Sequence, residues 1–421
     1  MSGRARMNGL TCGLAALRGL RADWRRPGVL LIVISLAMPI SFATWQALLN
    51  NFAIEQAAFS GVEIGILQSL REVPGFLAFT VVFALILMRE QTFAFVSLLL
   101  LGIGTAITGF FPTVVGLYAT TVLMSTGYHY FESLRQSLAL QWTDKEHAPH
   151  FLGQMIAATS LASLVAFALI FLALDVAGLA MRWVYLIGGG ITVSAIVVAW
   201  IAFPRFVSKV EQHKQIVLRG RYWLYYALVF MSGARRQIFV VFAGFLMVEK
   251  FGFDAAAIAL MFLVNGAINV FAAPRIGKLI GRWGERRALT FEYIGLMGVF
   301  TAYAFVETAW IAVGLYIVDH LFFSLAIAVK TYFHKIADPA DFASSAGVSF
   351  TISHIAAVVI PAAFGYLWLV SPSIVFLAGA AMAAVSLALS RMVPPAPSPE
   401  VVAVFGRAPA YARTVATEAG E

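Results

Sequence analysis

The chain of 421 residues is 61% hydrophobic and 12% charged, with a formal net charge of +8, and its mean hydropathy is +0.86. Soluble domains carry roughly 45–50% apolar and about 25% charged residues, so the composition excludes an ordinary soluble protein and predicts a chain that lives in a bilayer. The basic excess does not point to nucleic acid, because it sits in tails and short connections between apolar runs, where it orients a membrane protein.

Residues 1–27 form a basic tail carrying Arg4, Arg6, Arg18, Arg21, Arg25 and Arg26, and Cys12, the single cysteine, can close no intramolecular disulfide. The apolar run that follows is longer than a signal-peptide core and lacks a small-residue cleavage site, so it reads as a retained first span. Hydrophobic runs of about 18 or more residues, punctuated by Pro, Gly and charge, predict helices at 28–50, 63–88, 92–111, 114–140, 151–173 and 182–203. A second set falls at 222–247, 256–274, 289–306, 309–333, 342–366 and 373–391. The period-2 alternation of a membrane barrel is absent. The expected organisation is therefore an all-α membrane protein of twelve transmembrane helices, with bundles at 28–203 and 222–391 joined by a linker at 204–221. From 392 to 421, opening on "MVPPAPSPE", a disordered tail is expected. With the N-terminus inside, the inner segments hold 22 of the 29 lysines and arginines, which places both termini and the linker in the cytoplasm. Composition and short loops suit a bacterial inner membrane.

The two bundles are related. The stretch beginning "LYATTVLMSTGYHYFESLRQ" has a counterpart beginning "LYIVDHLFFSLAIAVKTYFH" about 195 residues later, with Tyr118 near Tyr316, Asp144 near Asp338 and Gly153 near Gly347. Two pseudo-symmetric six-helix repeats favour a transporter over a receptor or an intramembrane enzyme. The segment "GKLIGRWGERRAL" between the eighth and ninth spans resembles the loop signature of the major facilitator superfamily: Gly277, Leu279, Arg282, Gly284, Arg286 and Leu289 match, while Gly281 stands at the acidic position and Glu285 at a basic one. The resemblance implies a 6+6 helix transporter in which Gly277, Gly281, Arg282, Gly284 and Arg286 form a gating loop. Its glycines would allow a tight turn and close helix approach, and its arginines would meet helix C-termini. The corresponding first-half loop, "LILMREQTF", keeps little beyond Arg89.

Charges inside spans are costly, at least about 2.5–3.5 kcal/mol each by insertion scales, so each needs a partner or a wet cavity. The inventory is Arg71 and Glu72 on the second span; His129, Glu132 and Arg135 on the fourth; Arg235 and Arg236 on the seventh; Asp319, His320 and Lys330 on the tenth; and His354 on the eleventh. Arg235 and Arg236 are adjacent and so point about 100° apart. One is expected to face the central cavity and the other to pair inside the bundle. His129, Glu132 and Arg135 are spaced by three and share a helix face. Asn50 and Asn51 read as caps at the outer end of the first span.

In-span cations outnumber in-span acids in this inventory, which favours an anionic solute recognised by guanidinium. Substrate contact is expected from Arg235, Arg236, Arg71, Lys330 and Gln46, and proton coupling from Glu132, Asp319, His354 and Arg135. No HExxH, nucleophile elbow, phosphate-binding loop or Cys/His spacing calls for an enzyme, a cofactor or a metal. The expected protein is a monomeric secondary transporter moving a small anionic solute by alternating access with proton coupling; the alternative is a membrane sensor or partner-binding scaffold on the same fold.

Overall fold

The structure, a computed structural model, describes residues 24–142, 148–206, 218–337 and 342–404. A hydrocarbon core offers no hydrogen-bond partner to a peptide group, so a spanning chain must satisfy its backbone internally. The described residues are helical almost throughout, and their one β-contact is the isolated bridge between Ser398 and Val401. The first half holds α1 (Pro27–Ala57), α2 (Gly61–Phe76), continued by a 3-10 turn at Leu77–Thr80 into α3 (Val81–Leu87), then α4 (Glu90–Thr108), α5 (Val114–Trp142), α6 (Ala148–Phe171) and α7 (Met181–Ala202). The second half holds α8 (Trp223–Gln237), a π-helical segment at Ile238–Ala243 and α9 (Gly244–Glu249) as one continuous rod, followed by α10 (Ala255–Trp283) and α11 (Glu285–Ala304). It is completed by α12 (Ala309–Phe323), joined through Ser324–Ala326 to α13 (Ile327–Ile336), then α14 (Phe342–Val370) and α15 (Pro372–Arg391).

With the interrupted helices taken as single rods, each half contains six, alternating in direction between a near end, where α1 begins, and a far end. Nine helical stretches among the described residues are long and apolar enough to cross a membrane by length and composition. The other three rods are those built on α2, α5 and α11, and each carries ionisable groups within it: Arg71 and Glu72, then His129, Glu132 and Arg135, then Glu292. Large apolar side chains such as Ile86, Ile201, Trp310 and Val370 are exposed on the outside of the bundle, as a lipid-facing surface requires. Glycines and stacked rings both pack the interior. In the first half a β-carbon at Gly102 would lie 3.0 Å from the Gly189 carbonyl oxygen, one at Gly104 would lie 2.6 Å from the Met124 nitrogen, and Phe42 stacks on Tyr128 at 4.4 Å. In the second, Tyr303 stacks on Phe376 at 5.0 Å and Phe242 on Trp368 at 5.2 Å.

Three expectations change. The predicted loop from 275 to 288 is helical as far as Trp283, and the connection to α11 is Gly284 alone, whose φ of 78° suits a residue without a β-carbon. Gly277 and Gly281 lie on α10 with open space where a β-carbon would point, so they serve neither a turn nor a close helix approach. The expected tail is ordered at its start: Val393, Val402 and Ala403 are buried, Val404 N–H donates to Met392 O at 2.9 Å, and Tyr332 donates its hydroxyl to Val402 O. Residues 1–23, 207–217 and 405–421, which include most of the predicted basic tail, linker and C-terminal tail, lie outside the described residues, as do Asp144 and Asp338 of the repeat.

Candidate functional site

The two halves meet along α2 and α14. Gly61, Gly65 and Gly365 make this possible: a β-carbon on Gly61 would overlap the Trp368 ring, one on Gly65 the Pro361 carbonyl, and one on Gly365 the Gly61 carbonyl. Small residues let backbones approach where lipid supplies no hydrophobic drive between helices. Pro361 breaks the hydrogen-bond ladder of α14, and the Ala362 N–H beside it donates to Ser69 Oγ of α2 at 2.9 Å. Asn51, read from sequence as a cap, instead donates to Phe253 O at 2.7 Å, across the halves. The contacts Asn51–Phe253, Ser69–Ala362 and Glu72–His354 link the halves from mid-span to the far end.

The structure divides the two adjacent arginines. Arg235 is only 1% exposed; its Nη2 donates to Glu292 on α11 at 3.1 Å, its Nη1 donates to Ser386 on α15 at 2.8 Å, and its guanidinium lies 4.6 Å from the Tyr293 ring centroid. Arg236 is exposed, makes no ion pair among the described residues and rests over the Phe323 ring at 5.3 Å. It lies within electrostatic reach of Tyr316, Asp319 and His320 of its own half and of Tyr128 on α5 in the other. Asp319 is 4% exposed and lies in the field of both arginines. The rod loosens after the pair, at the π segment Ile238–Ala243. Gly233, before the pair, allows close approach, with Ser353 Cα on α14 lying 3.2 Å from where its β-carbon would sit.

A second constellation lies across the seal. Arg71 and Glu72 are hydrogen-bonded neighbours on α2, and Arg71 sits over the Trp45 ring at 5.7 Å. Glu72 Oε2 is 3.7 Å from His129 Nε2 on α5 and 3.6 Å from His354 Nε2 on α14. Both imidazoles are anchored at the other nitrogen. His129 Nδ1 lies 3.1 Å from Ser125 O and His354 Nδ1 lies 2.7 Å from Phe350 O. Gly75 makes the room, since a β-carbon there would strike both rings.

Of the other expected residues, Arg135 pairs with Glu132 one turn away at 3.0 Å and donates to Thr159 Oγ1 of α6 at 3.3 Å; both side chains of the pair remain partly exposed. Gln46 is half-buried on α1, and Lys330 is exposed on α13 with no ion pair among the described residues. Arg282 is exposed and Arg286 half-buried beside the Gly284 connection. Glu285, which departs from the family pattern, pairs with Lys335 at the end of α13 at 2.7 Å and so ties the ninth rod to the tenth.

One residue of the site escaped the inventory of in-span charges: Glu292, in "TFEYIGLMG", is fully buried and is the partner of Arg235. An acid within an apolar helix was the signal for it. Adding it removes much of the counted positive excess, since Arg71, Arg135 and Arg235 each have a carboxylate, and the uncommitted cations are Arg236 and Lys330. The gathering of Glu72, His129 and His354 carries no such signal, because the three come from three helices.

Comparison with known proteins agrees with this architecture. No curated protein sequence matches the chain significantly. A mutant form of the nucleoside transporter NupG superposes with a TM-score of 0.72 at 13% identity, covering 87% of this chain and 99% of that one. A bacterial homolog of the human lysosomal transporter Spinster, inward-facing and occupied, gives 0.71 at 11% identity over 86% and 95% of the two chains. An auto-inhibited POT-family peptide transporter gives 0.66 at 14% identity over 86% and 96%. The sequence profile of the Major Facilitator Superfamily matches residues 27–361. The chain belongs to the Major Facilitator Superfamily and is a multi-pass integral membrane protein with that family's transporter fold.

Proposed function

We propose that the protein is a secondary active transporter that moves a small anionic solute by alternating access, with Arg236 as the principal solute-binding cation. The observation carrying this reading is the contrast at one pair of positions: Arg235 is consumed by Glu292 and Ser386, whereas Arg236 is exposed, makes no ion pair among the described residues and acts on Asp319 only through its field. A guanidinium held in a partly dehydrated cavity binds carboxylate or phosphate oxygens through paired N–H groups. Lys330, also uncommitted, is assigned a second solute contact, and Arg71 and Arg235 a role in the scaffold. Gln46, half-buried on α1, is assigned neutral hydrogen bonding to the solute.

Proton coupling is assigned to Asp319, which shares the field of Arg236, and to Glu132 with Arg135 across the cavity. A solute anion arriving at Arg236 weakens that cation's hold on Asp319, so proton and anion travel together. With the tails and linker in the cytoplasm, as the distribution of basic residues favours, the polar contacts that Asn51 and Ser69 make with the second half lie toward the outer side. The test is a thermal-unfolding series on purified protein with succinate, citrate, glucose 6-phosphate and uridine monophosphate against glucose, uridine and dialanine, since a bound solute stabilises by mass action. Stabilisation by one of the anions supports the reading. Stabilisation by neutral probes alone overturns the anionic assignment, and copurification of a protein partner with no stabilisation by any probe favours the sensor or scaffold alternative.

A further inference from the structure

We infer that Glu72, His129 and His354 form a binding site for a late first-row divalent metal ion of the zinc class, bridging the two halves of the protein. One ligand atom from each of the three residues lies within 4.8 Å of the other two. Bonds of about 2.0–2.1 Å at tetrahedral angles place neighbouring ligand atoms roughly 3.4 Å apart. The two carboxylate–imidazole separations of 3.7 and 3.6 Å exceed that by only a few tenths of an ångström.

Geometry around the rings points the same way. Each imidazole has its Nδ1 next to a carbonyl oxygen of its own helix, Ser125 O for His129 and Phe350 O for His354; His129 Nδ1 also lies 2.9 Å from Ser125 Oγ, whose own proton goes to Arg71 O. Nδ1–H is therefore the donor, and each neutral ring presents the Nε2 lone pair. Two lone pairs and a carboxylate oxygen are thus gathered within 4.8 Å of one another, a donor set that one cation can bridge. Metal-bound histidines are held by this same outer contact from the second ring nitrogen to a carbonyl or carboxylate, which fixes tautomer and orientation. The site is also shaped for the rings: Gly75 stands where any β-carbon would strike both of them, and all three ligands are largely withdrawn from solvent.

Arg71 sets the selectivity. Its guanidinium holds Oε1 of Glu72, which leaves Oε2 to the imidazoles and partly neutralises the carboxylate. An incoming ion is then held mainly by imidazole nitrogen, which suits zinc, cobalt, nickel or copper and disfavours magnesium and calcium, whose preferred ligands are oxygens. Glu72 and His129 belong to the first half and His354 to the second, so a bound ion clamps the halves together beside the α2–α14 seal and opposes their separation there.

The test uses the full-length protein purified in detergent in metal-free buffer and titrated with zinc chloride, cobalt chloride or magnesium chloride. One zinc per chain retained after dialysis is expected, with an upward shift of the unfolding temperature that magnesium does not produce. Cobalt should give the intense visible bands of a tetrahedral site. His129→Ala and His354→Ala, checked by gel filtration against wild type, should weaken zinc binding by at least the roughly 10–100-fold that loss of a mere outer-shell partner costs. His354→Cys should keep the site and give cobalt a thiolate charge-transfer band. Glu307→Gln, at an exposed acid remote from the site, should leave zinc binding unchanged. Failure of wild type to retain zinc, retention equal in wild type and the two histidine variants, or an equal shift with magnesium would overturn the inference. These outcomes are read without any transported solute and leave the reading of Arg236 untouched.

Discussion

The halves handle buried charge in opposite ways. In the first, each in-span arginine is matched by a carboxylate on its own helix, Arg71 by Glu72 next door and Arg135 by Glu132 a turn away. In the second, Arg235 reaches across to Glu292 on α11 and Ser386 on α15, while its neighbour Arg236 is left with the face of Phe323 and the field of a buried Asp319. A locally balanced charge is a device for holding a helix in place. A charge without an ion pair beside a committed twin is expensive in lipid, and beyond the Phe323 ring and the field of Asp319 it leaves room for water or a solute to complete it.

The sharpest way to break this contrast is to attack the committed twin. Removing one member of a buried ion pair strands the other and costs about 3–5 kcal/mol; Glu292→Ala and Arg235→Ala are each expected to lower the unfolding temperature by an amount in that range, and Arg235→Met combined with Glu292→Leu should recover most of the loss. Stability equal to wild type in either single variant would show that the pair is not a structural clamp. The uncommitted twin should behave in reverse. Arg236→Ala should leave the unfolding temperature nearly unchanged while weakening anion binding roughly 10–100-fold, the value of a lost hydrogen bond to a charged group.

The next effect concerns the seal. Gly65→Val pushes a side chain into the Pro361 carbonyl and should cost about 1–3 kcal/mol as overpacking does. Disulfide formation between Ser69→Cys and Ala362→Cys should then fall relative to the same cysteine pair on the Gly65 background. Smallest is the first-half pair. A partly exposed pair of this spacing is worth roughly 0.2–0.5 kcal/mol, so Glu132→Gln should barely alter stability while changing the pH dependence of anion-driven transport. An unchanged pH profile would remove Glu132 from the coupling path.

What could be read from the sequence follows the range of the interaction. Helices and their order were legible because hydrophobic run length is a local property; the predicted span 309–333 and the observed Ala309–Ile336 differ mainly at one end. The Glu132–Arg135 pair was legible for the same reason, being fixed by helical spacing. The choice between Arg235 and Arg236 was not, since it depends on where Glu292 and Ser386, two and five rods further along the chain, stand after packing. The position of the turn in the family-like segment was not legible for a local reason: Gly277 and Gly281 look like turn residues, yet α10 continues through both to Trp283. The meeting of Glu72, His129 and His354 depends on α2 and α14 closing through glycine, which no spacing within one helix records.

The central claim is that Arg236, and not Arg235, receives the solute. The most direct measurement is uptake into proteoliposomes, under an imposed pH gradient, of whichever panel anion most stabilises the wild-type protein, compared with Arg236→Ala and Arg236→Lys at matched reconstitution. The account predicts a flux at least about tenfold lower in Arg236→Ala, partial recovery in Arg236→Lys, and an unfolding temperature within error of wild type in both. Wild-type flux in a normally inserted Arg236→Ala protein would contradict it.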